Sequence, residues 1–150
     1  MFNVGMSPDK PLYVEKEFEV RTYDIDFASV VGNIVYIRWL EDLRLKLLAT
    51  YAPLKDQLNL GQGPILTKTM IEYKKPITIF DKPIGKMWLS DLGQAHWAVN
   101  AEFWVGETLC CAAEQSGAYI DFAKARPIPV PEKLRQQYQK WLVDADKSKT

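Results

Sequence analysis

One block of this chain repeats apolar residues at helical spacing, and most of the chain after that block alternates like strands. Tyr36, Leu40, Leu43 and Leu47 recur three or four residues apart, and Ile37, Trp39 and Leu48 widen the stripe. Arg38, Glu41, Asp42, Arg44 and Lys46 supply the polar character of this helix. Asn33 is the expected N-cap, because its side chain can accept from a first-turn N–H, and Pro53 ends or kinks the run. Strand-like stretches come next at Ile65 to Tyr73, Ile84 to Leu92, His96 to Val105 and Thr108 to Phe122. Gly106-Glu107 reads as a tight hairpin turn. The order predicts an antiparallel α+β domain with the long helix packed on one sheet face.

The flanks are simpler. Phe18 to Tyr23 alternates as a strand ahead of the helix, and Leu54 to Leu60 reads as another turn or two of helix. Gly61-Gln62-Gly63-Pro64 reads as a break. Pro127, Pro129 and Pro131 stop the sheet, Glu132 to Leu142 reads as a terminal helix, and Lys147 to Thr150 is expected to fray. No repeat or linker interrupts the 150 residues, so a single domain is expected.

Composition narrows the function classes. Lys+Arg and Asp+Glu are both 19, so the chain has none of the basic surplus of a general nucleic-acid binder. No apolar run approaches membrane-spanning length, and the amino terminus shows no basic segment followed by an apolar one. Cys110 and Cys111 are adjacent, a poor geometry for a structural disulfide, and fit a reducing compartment. A cytoplasmic protein without membrane or nucleic-acid partners is therefore expected. The single histidine, His96, and the lack of a Cys-x-x-Cys pair argue against a metal site. His96 reads as a structural strand residue.

Asp24 and Asp26 end the first strand-like stretch just before the long helix. A carboxylate near a helix amino end lies beside unpaired backbone N–H groups. There it can attack an activated acyl group or direct water at one. The alternative for Asp26 is a loop aspartate bonded to its own backbone. Glu41 is a second candidate base, with pairing to Arg38 or Arg44 as its alternative.

The stretch from Arg21 to Arg44 resembles the signature of the hot-dog-fold acyl-CoA thioesterases, the group that includes 4-hydroxybenzoyl-CoA thioesterase. Members often carry Asp-x-Asp, a loop commonly written G-H-V-N-N, a tyrosine ten residues after the second aspartate, then Glu and Arg on the helix. Asp24, Asp26, Val31, Asn33, Tyr36, Glu41 and Arg44 match those positions. Ile71 to Pro76 is similar to the family's strand after the helix, and Asp121 to Pro131 to its last strand and Pro-rich exit. The likeness runs from about Phe18 to about Leu134. Ser29, Val30 and Gly32 depart from the loop pattern. An apolar pair in place of His-Val is similar to the branch acting on aromatic acyl groups.

The resemblance implies a hot-dog fold, with an antiparallel sheet wrapped around the long helix. It implies hydrolysis of an acyl-CoA thioester, or of an acyl group on a carrier protein, without a cofactor. A non-catalytic acyl-binding module is the remaining alternative. Asp26 would be the catalytic carboxylate, and the N–H groups of Asn33 and Ile34 would bind the oxyanion. Tyr36 would line the pocket or pack in the core. Lys74, Lys75 and Arg126 are candidates to hold the phosphates of CoA, or else solvated surface charges. Protomers would pair as homodimers or homotetramers, with active sites between them.

Overall fold

A computed structural model describes residues 9–148. Five antiparallel strands form a sheet in the order β1-β3-β4-β5-β2, and a short sixth pairs with β5. The strands are β1 (Val14–Glu17), β2 (Gln62–Tyr73), β3 (Ile84–Leu92), β4 (His96–Val105), β5 (Thr108–Asp121) and β6 (Arg126–Pro127). The helices are α1 (Asn33–Tyr51), α2 (Leu54–Asn59) and α3 (Glu132–Ser148).

The apolar stripe of α1 does what its spacing predicts. Val35, Tyr36, Trp39, Leu40, Leu43, Leu47 and Tyr51 are buried. The alternate residues Met87, Leu89, Trp97, Val99, Ala101 and Phe103 of the sheet join the same core. Leu40 and Leu43 are fully buried, so truncating either to alanine should cost about 2–5 kcal/mol. Phe18 stacks on Trp39 with ring centroids 5.0 Å apart. Gly85 makes the room: a Cβ there would lie 2.6 Å from the Phe18 ring and 3.0 Å from Leu43.

The first strand differs from expectation. Pairing with β3 covers Val14–Glu17, not Phe18–Tyr23. Phe18 and Val20 still point inward, at 5% and 7% exposure. The strand ends because Asp24 closes a turn on Arg21. Its carboxylate accepts from the Arg21 N–H at 2.8 Å, and its own N–H donates to the Arg21 carbonyl at 2.9 Å. Thr22–Asp24 is therefore a single 3₁₀ turn.

Three further boundaries move. Gly32, not Asn33, is the N-cap of α1, with extended backbone and no side-chain cap bond. β2 begins at Gln62 and runs through Pro64, where the glycines and proline predict a break. Proline is tolerated because β2 is an edge strand, bonded only to β5 and leaving one side free of ladder partners. α3 continues past Leu142 to Ser148, and Lys147 lies within it. Residues 149 and 150 lie outside the described residues.

The hairpin between β4 and β5 forms where Gly106-Glu107 predicts it. Val105 pairs with Thr108, and Gly106 takes φ +58 in the two-residue turn.

Candidate active site

The loop between the 3₁₀ turn and α1 folds back on itself. The Asp26 N–H donates to the Val30 carbonyl at 2.8 Å, and the Ser29 N–H to the Asp26 carbonyl at 3.0 Å. Ser29 adopts φ +63, the left-handed conformation that glycine takes without strain. Val31 is buried, and its N–H donates to the Ile77 carbonyl at 2.8 Å, tying this loop to the segment between β2 and β3. The Gly32 N–H donates to the Asp24 carbonyl at 2.9 Å, so the chain enters α1 directly beside the acidic pair.

Asp24 and Asp26 take different roles as a result. Asp24 is buried and its carboxylate is committed to the Arg21 N–H. Asp26 is exposed. Its Oδ1 accepts from the Ala28 N–H at 2.8 Å, a local loop bond, and Oδ2 has no hydrogen-bond partner among the described residues. A Cβ placed on Gly32 would lie 3.8 Å from the Cβ of Asp26, which sets this carboxylate against the N-cap of α1. In the first turn the Val35 N–H is taken by the Gly32 carbonyl, whereas the N–H groups of Asn33 and Ile34 have no partner among the described residues. The positive end of the helix dipole favours an anion here.

Tyr36 is not at an open wall. It is 3% exposed and meets Trp39, Tyr73 and Phe103 edge-on, at centroid distances of 5.6, 5.3 and 5.7 Å. Burial drives its pKa well above the usual tyrosine range. Tyr73 is the residue that sequence reasoning passed over. It ends β2, is half exposed, and its hydroxyl donates to the Asn33 carbonyl at 3.4 Å. Its only sequence signal is its place in the strand that follows the helix.

The three candidate cations do not form one cluster within a protomer. Lys74 and Lys75 follow β2, where both N–H groups donate to the Cys110 carbonyl, and the Lys74 ammonium sits 3.0 Å from Glu72. Arg126 pairs with Asp121 at the other end of β5. Cys111 to Asp121 spans ten residues, roughly 33 Å of strand at about 3.3 Å per residue. Glu41 is exposed and makes no ion pair with Arg38 or Arg44.

Comparison with known proteins decides the family. The model of the thioesterase-like superfamily matches residues 20–138. The chain belongs to the thioesterase-like superfamily. Its reaction class is thioester hydrolysis. No curated protein matches it in sequence. Among solved structures it is similar to a hypothetical protein of Thermus thermophilus, at 16% identity and TM-score 0.77, over 85% of this chain and 98% of that one. It is similar to a DHNA-CoA thioesterase of Staphylococcus aureus, at 21% identity and TM-score 0.73, over 91% of both chains. A 1,4-dihydroxy-2-naphthoyl-CoA thioesterase of Synechocystis gives 18% identity and TM-score 0.74, over 89% of this chain and 98% of that one. Likeness at these identities establishes the hot-dog fold: the curled antiparallel sheet around α1 is the one the sequence resemblance implied.

Proposed function

We propose that this hot-dog protein hydrolyses an acyl-CoA thioester with Asp26 as the catalytic carboxylate. The observation that carries this reading is the placement of Asp26 against the Gly32 N-cap, beside the unpartnered N–H groups of Asn33 and Ile34. The thioester carbonyl would sit between them. Asp26 would either attack the carbonyl carbon or take a proton from a water that attacks it. Negative charge would then develop on the carbonyl oxygen, facing the two N–H groups. One such donor is worth about 2.7–4 kcal/mol in the transition state. Collapse expels the thiolate, whose conjugate acid has a pKa of about 8.5, so no strong general acid is required.

The acyl class is read from two supports. The neighbours from Staphylococcus aureus and Synechocystis are thioesterases of DHNA-CoA and 1,4-dihydroxy-2-naphthoyl-CoA. The loop carries the apolar Val30 where the family commonly has histidine. An aromatic acyl group fits both.

The active unit is read as a dimer or a dimer of dimers. β2 offers a 12-residue edge without a partner strand, with Leu66, Met70 and Tyr73 exposed along it. Such an edge is a template for pairing. Tyr23, Phe27, Ile34 and Phe80 are also exposed, three of them on or beside the Asp26 loop and α1 amino end. Antiparallel pairing of two β2 edges would lay the Arg126 end of one copy beside the Lys74 end of the other. That would reunite the separated cations at one substrate mouth.

The deciding experiment is a hydrolysis screen over aliphatic and aromatic acyl-CoA and acyl-carrier-protein substrates, with free thiol detected. Turnover of an aromatic acyl-CoA that is lost in Asp26→Asn supports the reading. Turnover confined to acyl-carrier-protein substrates overturns the CoA assignment.

A further inference from the structure

A second feature lies away from Asp26, at the other half of α1. Between α1, the inner face of the sheet and the start of α3 is a cavity of about 100 Å³. Leu47, Leu89, Trp97, Val99 and Leu134 supply most of its apolar wall. Arg44 also lines it. Arg44 follows Asn33 by eleven residues, about 16 Å along the helix at 1.5 Å per residue.

The guanidinium in this wall lacks a counter-charge. Arg44 is half-buried, and no carboxylate lies within ion-pair distance of it among the described residues. Its one side-chain hydrogen bond goes to the Oε1 of Gln115. Gln115 is 2% exposed, and its amide nitrogen donates to the Thr69 hydroxyl at 3.0 Å, which holds its oxygen toward Arg44. Gln115 therefore orients the guanidinium without neutralising it. Burial pulls the pKa of Arg44 below the usual range, the sign of a cation short of solvation. A guanidinium has five N–H donors in a planar fork matched to a carboxylate, and Gln115 engages one. An apolar hollow with one oriented, unneutralised guanidinium suits a ligand with a small apolar body and an anionic head.

We propose that this cavity binds a small amphipathic carboxylic acid as its carboxylate, with Arg44 holding the head group and the apolar wall holding the body. The volume limits the body to roughly the size of a benzene ring or a short alkyl chain, given that an engineered 150 Å³ apolar cavity accepts benzene. The site is distinct from the Asp26 loop. Its ligand class is also the class of product that thioester hydrolysis releases, so a free acid could occupy it during turnover. The inference does not depend on the role of Asp26.

The test is a methyl- and indole-resolved NMR titration of the full chain with hexanoate and benzoate, and with hexan-1-ol and benzyl alcohol as neutral counterparts. Saturable shifts are expected at Leu47, Leu89, Val99, Leu134 and the Trp97 indole, with the acids binding more tightly than the alcohols. Arg44→Met should weaken the acids by at least about tenfold and the alcohols little. Arg44→Lys should fall between the two. Asp26→Asn should bind hexanoate as the parent does. The proposal is overturned if acids and alcohols bind alike in the parent chain, if no saturable shift occurs, or if the shifts map to the Asp26 loop and Asn33. If Arg44→Met does not fold, the acid–alcohol comparison in the parent and in Arg44→Lys still decides.

Discussion

Asp26 packs against Gly32: the Cβ of Asp26 lies 3.8 Å from where a Cβ on Gly32 would be. Because Gly32 is the N-cap of α1, this contact sets the carboxylate at the positive end of a 19-residue helix. Asp26→Asn keeps the size and the Oδ1 bond to the Ala28 N–H while removing the charge. Turnover should fall at least about a hundredfold, the scale of a lost acid–base group. The melting transition should stay close to that of the parent, since the side chain is exposed. Near-normal turnover would move the chemistry to another carboxylate, with Glu41 first.

Assembly is the second prediction. The unpaired β2 edge and the exposed apolar residues around the Asp26 loop call for a partner, and a second copy supplies one. Sedimentation at micromolar concentration should show at least a dimer. A monomer that still turns over substrate would exclude an active site shared between copies.

The cations give a kinetic prediction. Lys74→Gln with Lys75→Gln, or Arg126→Gln alone, should each raise KM for an acyl-CoA with little change in kcat. Contacts to the nucleotide phosphates are equal in ground and transition states. The effect should shrink with added salt, because all three side chains are exposed and screened. It should vanish for a short pantetheine thioester. An unchanged KM for acyl-CoA, together with lost activity on an acyl-carrier protein, would favour the carrier protein as substrate.

Gly117 gives a prediction about the fold. A Cβ at this β5 position would lie 1.8 Å from the Ile65 carbonyl oxygen and 2.7 Å from the Trp97 ring. The first obstacle is backbone of the edge strand, which cannot move without breaking the ladder beside the bulge between Leu66 and Lys68. Gly117→Ala should destabilise by about 1–3 kcal/mol or more, measured by denaturant unfolding. It should also loosen the β2 edge, seen as faster amide exchange in β2 than in β3.

Much of the architecture was legible in the sequence. The stripe on α1, the alternation in β3 and β4 and the Gly106 turn depend on which neighbours along one segment share a face, and that period is written in order along the chain. The match of Asp24, Asp26, Tyr36, Glu41 and Arg44 at fixed spacing pointed to the family for the same reason. Asp26 and Asn33 were nameable as candidates because a short loop and a helix start lie side by side in the chain.

Other features were decided by contacts between distant segments. Phe18 to Tyr23 alternates like a strand, but pairing ends at Glu17 because Asp24 captures the Arg21 N–H and turns the chain. Pro64 lies inside β2 because only the edge position spares its missing N–H. Lys74 and Arg126 looked like parts of one patch, yet β5 holds them at opposite ends of the sheet. Tyr73 meets Asn33, and Arg44 meets Gln115, across 40 and 71 residues of chain. Local periodicity tells each segment which face it buries. Which buried face meets which, and so which polar groups converge, depends on how the sheet curls around α1, and only the tertiary structure sets that.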